Sequence, residues 1–132
     1  MGTSFVEFNG FGFWARDADL EIWLTTLVDE LKNLSTLKPW QESLARYWRE
    51  QATIDAGCIS TGLDEFITDN ERKAIVLSFA RNALAVTHPG VRRTAILFID
   101  LLEGKLNTLV HSTILRILRA IQNDLVVRET TI

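Results

Sequence analysis

The sequence predicts a single-domain, all-α bundle of about five helices, preceded by a short N-terminal β-hairpin or extended segment. Apolar residues recur at three- and four-residue steps through most of the 132 residues, which is typical of helices with one buried face. Asn9-Gly10 separates two aromatic runs and tolerates the positive φ angles of a type I′ turn, which predicts a hairpin. A chain of this length normally forms one domain, here 1–132, with the hairpin in 1–15 and the bundle in 16–128.

The first two helices have clear start signals. Asp17 is suited to cap a helix over 17–34, and Pro39 opens the next in its first turn, where a missing N–H costs nothing. Gln51 interrupts the apolar stripe of this second helix and is predicted to be a hydrogen-bonded structural amide. Cys58 lies in a loop bracketed by glycines and is predicted to be a small buried thiol rather than a nucleophile.

Three further helices are predicted over 70–87, 91–103 and 106–127. Thr68 and Glu71 stand at capping-box spacing before the third helix. The helix over 91–103 is apolar nearly all round, which is typical of a helix inside a bundle. We therefore expect the bundle to pack around the third and fourth helices.

The charge is distributed unevenly along the chain. Residues 1–70 carry 12 acidic and 5 basic side chains, whereas residues 71–132 carry 5 acidic and 9 basic ones. The four tryptophans also lie in the first half, at Trp14, Trp23, Trp40 and Trp48. Aromatic anchors dominate interface energies and carboxylates steer cations, so this half has the character of a surface for a basic partner.

The alternative interpretation is that the tryptophans form core and the acids only solvate the outside. It is favoured for the three tryptophans on apolar helix faces, while Trp14 has no such face and both interpretations stay open for it. Ile22 points away from its helix's apolar face, as a contact residue would, although single exposed apolar residues are also common on protein surfaces. The candidate partner-binding residues are Trp14, Asp17, Asp19, Glu21, Ile22 and Asp29.

The sequence contains one candidate catalytic pattern. Arg81 and His88 are seven residues apart, which on one helix would place them on the same face, two turns apart. The spacing resembles the arginine–six residues–histidine signature of the HEPN ribonucleases, which are also small helical bundles. That resemblance implies a metal-independent ribonuclease in which Arg81 binds the scissile phosphate and His88 moves protons.

Composition excludes or disfavours several other classes. The net charge of −3 argues against a nucleic-acid surface over the whole protein. The single cysteine allows no internal disulfide and favours a reducing, cytoplasmic location, and no apolar run is long enough to span a membrane. We find no metal-ligand spacing and no phosphate- or dinucleotide-binding loop, so no metal and no cofactor are expected.

Two stretches resemble a group of small bacterial proteins. The segment GFWARDADLEIWL, residues 12–24, and the run from Trp48 to CISTGLDE, residues 58–65, are similar to immunity partners encoded beside secreted polymorphic toxins. The resemblance implies a non-catalytic protein that binds and neutralises one toxin through acidic residues that mimic phosphate.

We therefore expect a protein partner, with a basic toxin domain as the leading candidate. The acidic first half of one copy could also bind the basic second half of another, which would give a homo-oligomer. A pocket between bundle helices for a small apolar ligand is the third interpretation.

Overall fold

The computed structural model describes residues 2–34, 36–53 and 58–106. In these ranges the chain is mostly helical, with a two-stranded antiparallel hairpin at the N-terminus. The elements are β1 (Thr3–Phe8), β2 (Phe11–Arg16), α1 (Asp17–Lys32), α2 (Pro39–Thr53), α3 (Leu63–Phe66), α4 (Asn70–Val86), a 3₁₀ turn (Pro89–Val91) and α5 (Arg92–Glu103). The helix predicted over 106–127 lies outside the described residues, apart from its first position.

The N-terminal segment is a regular hairpin, so the fold is not strictly all-α. Asn9 (φ 55°) and Gly10 (φ 84°) both have positive φ, which confirms the predicted type I′ turn. The register pairs Phe5 with Trp14 and Val6 with Phe13. One face of the ladder, with Val6 and Phe13, enters the core, and the other face remains outside.

The helix ends differ from the predictions in three places. Asp17 is the first residue of α1 and not its N-cap, which is Arg16, and the Asp17 carboxylate instead accepts the hydroxyl of Ser4. α1 ends at Lys32, so Leu34 lies beyond the helix and is 42% exposed instead of continuing its apolar face. The predicted capping box at Thr68 is also wrong. Asp69 is the N-cap of α4, and its Oδ1 accepts the N–H of Arg72 at 2.8 Å, because a carboxylate satisfies the first free amides of a helix well.

α3 is a one-turn helix where only a loop was expected. Gly62 precedes it with φ 63°, a left-handed conformation that favours glycine. A side chain at this position would also approach the Tyr47 ring to 2.9 Å. Tyr47 and Phe66 pack together with ring centroids 5.4 Å apart, so α3 is held against α2.

Within the described residues the core is built around α1, whereas the sequence predicted a bundle packed around the third and fourth helices, α4 and α5. Among the described elements, α1 packs against α2, α4 and α5. Trp23 on α1 and Trp48 on α2 are both fully buried, and both make T-shaped ring contacts with Phe98 on α5. The expectation that these two tryptophans are core residues is confirmed, so two of the four tryptophans of the first half lie inside the core.

Candidate functional site

Trp14 is the exception among the tryptophans. It lies on the outer face of β2 and is 68% exposed. Its ring packs against Phe5 of β1, with centroids 5.1 Å apart and planes tilted by 58°. Trp40, by contrast, is half-buried beneath the guanidinium of Arg72, which is 4.8 Å from its ring centre. Trp14 therefore presents a large aromatic surface that no described part of the core covers.

Gly12 fixes the position of this aromatic pair. A Cβ at Gly12 would stand 2.2 Å from the carbonyl oxygen of Val6 and 2.7 Å from the ring of Phe5. The Phe5 ring thus lies directly over the glycine backbone, in space that any other residue would fill. Glycine at this position lets Phe5 lie flat on the hairpin and support Trp14.

A groove runs between the outer face of the hairpin and the chain from Cys58 to Glu65, which we call the 58–65 segment. Its volume is about 460 Å³. Phe5 and Trp14 supply the aromatic wall, and Cys58 stands on the opposite side. The groove lies between the hairpin and this segment, not between bundle helices as the apolar-pocket interpretation expected.

The 58–65 segment is held against the rest of the fold by four specific hydrogen bonds. They run from Ile59 N–H to Ser4 Oγ (2.9 Å), from Ser60 N–H to Gln51 Oε1 (2.8 Å), from Trp48 Nε1–H to Thr61 O (2.8 Å) and from Asn9 N–H to Asp64 Oδ1 (2.9 Å). The Gln51 bond confirms the predicted structural amide. Because both walls are tied to buried or hydrogen-bonded partners, the groove exists before any ligand arrives.

The charged side chains that line the groove are all carboxylates. They are Glu7, Asp64 and Glu65, which we call the acidic rim, and each is exposed. No described lysine or arginine forms an ion pair with them. Asp64 uses Oδ1 to accept the N–H of Asn9, so the rim is partly ordered as well as negative.

The acids predicted on α1 divide into different roles. Ile22 and Asp29 lie on the side of the helix opposite Leu20 and Leu31, and Asp19 lies on the flank between them and buried Trp23. We call Asp19, Ile22 and Asp29 the α1 stripe. Ile22 is 45% exposed, which agrees with its position off the apolar face. Asp19 is half-buried and Asp29 is exposed, and neither has an ion-pair partner in the described ranges.

Asp17 and Glu21 lie away from this stripe. The carboxylate of Asp17 accepts a hydrogen bond from the buried hydroxyl of Ser4 at 2.6 Å. Its role in the structure is to join α1 to the hairpin, and a contact with a partner stays a prediction. Glu21 is half-buried on the opposite flank of α1 from Asp19, because two residues correspond to about 200° around a helix.

Arg81 and His88 do not lie on one helical face. α4 ends at Val86 and the backbone of Thr87 is extended, so His88 is outside the helix. Its Nδ1 accepts the N–H of Gly90 at 2.9 Å and caps the 3₁₀ turn. Arg81 pairs with Glu103 on α5. The geometry that the HEPN spacing would require on a continuous helix is absent, and both side chains have structural partners.

Cys58 is exposed, so its prediction as a buried thiol is wrong. The hydrogen bonds of its neighbours hold the backbone at the groove, and the thiol faces outward because Ile59 is the residue that enters the core. In the described part of the chain no three histidine, cysteine or acidic side chains are grouped to hold a metal ion. No helix there is long and apolar enough to cross a membrane.

The chain matches no model of a protein family, no curated protein and no solved structure. The function proposed for the candidate site is therefore supported by the geometry of the site itself.

Sequence reasoning identified Trp14 but missed its surroundings. Phe5 and Glu7 alternate along β1, and the Asn9-Gly10 turn sets the register that brings Phe5 opposite Trp14, so this part had a readable signal. No signal in the sequence predicts that Asp64 approaches the hairpin. Its contact with Asn9 joins residues 55 positions apart.

Proposed function

We propose that the protein is a non-catalytic binding module that docks a basic protein partner on its acidic, aromatic N-terminal surface. The observation that carries this proposal is Trp14. It remains 68% exposed while Trp23 and Trp48 are completely buried. A large exposed aromatic ring on a rigid element is the usual anchor of a protein interface.

The surroundings of Trp14 indicate the charge of the partner. The groove that its ring lines is also lined by the three carboxylates of the acidic rim, and the following helix carries the α1 stripe. Unpaired carboxylates raise the association rate with a cationic protein, while the aromatic anchor and Ile22 supply apolar contact. A basic toxin domain, as the resemblance to immunity proteins implies, is the leading candidate for this partner.

A ribonuclease is the alternative, and no described contact favours it. An arginine that is to bind phosphate must be free to do so, whereas Arg81 already pairs with Glu103. His88 already accepts a backbone hydrogen bond through Nδ1.

The binding proposal is tested with a reconstituted complex. The chain is coexpressed with the products of its neighbouring genes, and any protein that copurifies is produced alone and titrated at low and high salt by calorimetry. We expect a stoichiometric complex whose affinity falls with salt and falls further in an Asp19→Lys/Asp29→Lys variant.

A matched variant separates the surface from net charge. Glu42→Lys/Glu50→Lys makes the same change in charge at two exposed positions of α2. This control should bind more tightly than the α1 variant. Equal affinities in the two variants, or the absence of any partner that binds as a pure protein, would overturn the proposal.

A further inference from the structure

We infer that the groove between the hairpin and the 58–65 segment is a binding site for an arginine side chain, presented by an exposed segment of the partner. This inference deepens the proposed function and rests on it. It concerns residues outside the α1 stripe and can fail separately.

The aromatic wall selects a flat, weakly hydrated cation. The Trp14 face is open to solvent, and Phe5 holds it at a fixed tilt of 58°. A guanidinium stacks on such a ring by cation–π attraction and loses less hydration than an ammonium group does. The fold already contains one such contact, between Arg72 and Trp40, with 4.8 Å from the guanidinium carbon to the ring centre.

The acidic rim supplies the counter-charge. Glu7 and Glu65 are exposed and make no described ion pair, and Asp64 has one oxygen occupied by the N–H of Asn9. Carboxylates accept two parallel hydrogen bonds from guanidinium, a geometry that lysine cannot provide. The same three charges repel phosphate, so this groove disfavours a nucleic acid as occupant.

The size of the groove favours a side chain attached to a peptide over a free ion. The groove volume of about 460 Å³ is larger than one guanidinium group needs. The peptide backbone on either side of the arginine can therefore enter together with the side chain. The wall is fixed by the four hydrogen bonds to Ser4, Gln51, Trp48 and Asn9, so little ordering cost opposes entry.

The chain carries its own reporter for this site. Cys58 is the single cysteine, it is exposed, and it lines the groove. The rate of its alkylation by iodoacetamide therefore measures whether the groove is occupied. The probe is the capped peptide acetyl-Gly-Arg-Gly-amide. Its matched control replaces arginine by citrulline, which keeps the shape and removes the charge.

We expect the arginine peptide to slow the alkylation of Cys58 in a saturable way. The same peptide with lysine in place of arginine should slow it less, and the citrulline peptide should have no effect. A Glu7→Gln/Glu65→Gln variant should lose roughly fivefold in affinity for the arginine peptide, whereas Glu42→Gln/Glu50→Gln should keep it. Trp14→Ala should abolish protection while leaving the folded state intact, because the ring is largely exposed. Equal protection by the citrulline or lysine peptide, or none by the arginine peptide, would overturn the inference.

The reconstituted complex separates this inference from the proposed function. If Asp19→Lys/Asp29→Lys lowers the affinity for the partner and Glu7→Gln/Glu65→Gln does not, the inferred arginine site is wrong and the proposed binding function is retained. If the arginine peptide protects Cys58 and no protein partner exists, the groove is an arginine site and the proposed function is wrong.

Discussion

Ser4 and Asp17 are joined by a 2.6 Å hydrogen bond that links the first strand to the first helix. The same Ser4 hydroxyl accepts the N–H of Ile59 at 2.9 Å, so one buried oxygen connects the hairpin, α1 and the 58–65 segment. These are the elements that surround the groove and carry the α1 stripe. The Ser4 hydroxyl is thus a point at which three elements of the candidate surface are joined.

Ser4→Ala should lower the free energy of unfolding by about 1–3 kcal/mol, because it leaves the N–H of Ile59 without its partner in a buried site. Thr3→Ala, at the exposed neighbouring position, should change it by less than about 0.5 kcal/mol. Urea denaturation measures both. Equal midpoints for the two variants would show that the Ser4 hydroxyl does not hold the elements together.

Gly12→Ala should destabilise the hairpin by about 3 kcal/mol, since its Cβ overlaps both the Val6 carbonyl and the Phe5 ring. Gly10→Ala is the control. That position has φ 84° but open space around it, so the cost should be about 1 kcal/mol of backbone strain. Thermal denaturation gives the two values, and Cys58 alkylation should change only in Gly12→Ala. A milder effect at Gly12 than at Gly10 would contradict the placement of Phe5.

Trp48→Phe and Trp23→Phe form a matched pair, because both rings are fully buried against Phe98. Trp48 donates to the carbonyl of Thr61, whereas Nε1 of Trp23 has no partner within the described ranges. Losing the Trp48 donor leaves a buried acceptor unpaired, so Trp48→Phe should cost about 1–2 kcal/mol more than Trp23→Phe.

A second measurement locates the effect of Trp48. The alkylation of Cys58 should be faster in Trp48→Phe and unchanged in Trp23→Phe, since only the first loosens the 58–65 segment. If the two variants unfold at the same denaturant concentration, the bond to Thr61 contributes nothing.

In the presence of a chelator, the purified protein should cleave RNA no faster than a His88→Ala variant. The reason is that His88 accepts the N–H of Gly90 and Arg81 is paired with Glu103. Gel analysis of a labelled RNA measures this, with Arg93→Ala, an exposed arginine on α5, as the control. Cleavage that disappears in both His88→Ala and Arg81→Ala, but not in the control, would restore the ribonuclease hypothesis.

Local sequence signals predicted the regular elements well. Asn9-Gly10 predicted the type I′ hairpin because few dipeptides tolerate two positive φ angles, and Pro39 predicted the start of α2 because its N–H is dispensable there. One error, at the start of α4, occurred where two local solutions compete. Thr68 and Asp69 are both good N-caps, and the carboxylate of Asp69 is the one that bonds to Arg72.

The candidate site was predicted only in part. The sequence placed Ile22 off the apolar face of its helix and left Trp14 open between core and surface, and both are exposed. Asp17 fits the pattern of a surface acid equally well, yet its carboxylate bonds to Ser4, a contact that no spacing along the chain reveals.

By itself, the sequence determined the mostly helical fold and the hairpin with its Asn9-Gly10 turn, because both follow from interactions between near neighbours. The tertiary structure alone decided that the 58–65 segment lies beside β1 and turns the hairpin's outer face into one wall of an acidic groove. The contacts responsible, Ile59 with Ser4 and Asp64 with Asn9, each span 55 residues. Such pairings depend on how the whole core packs, since the cost of closing a long loop is met only once the other helices are in place.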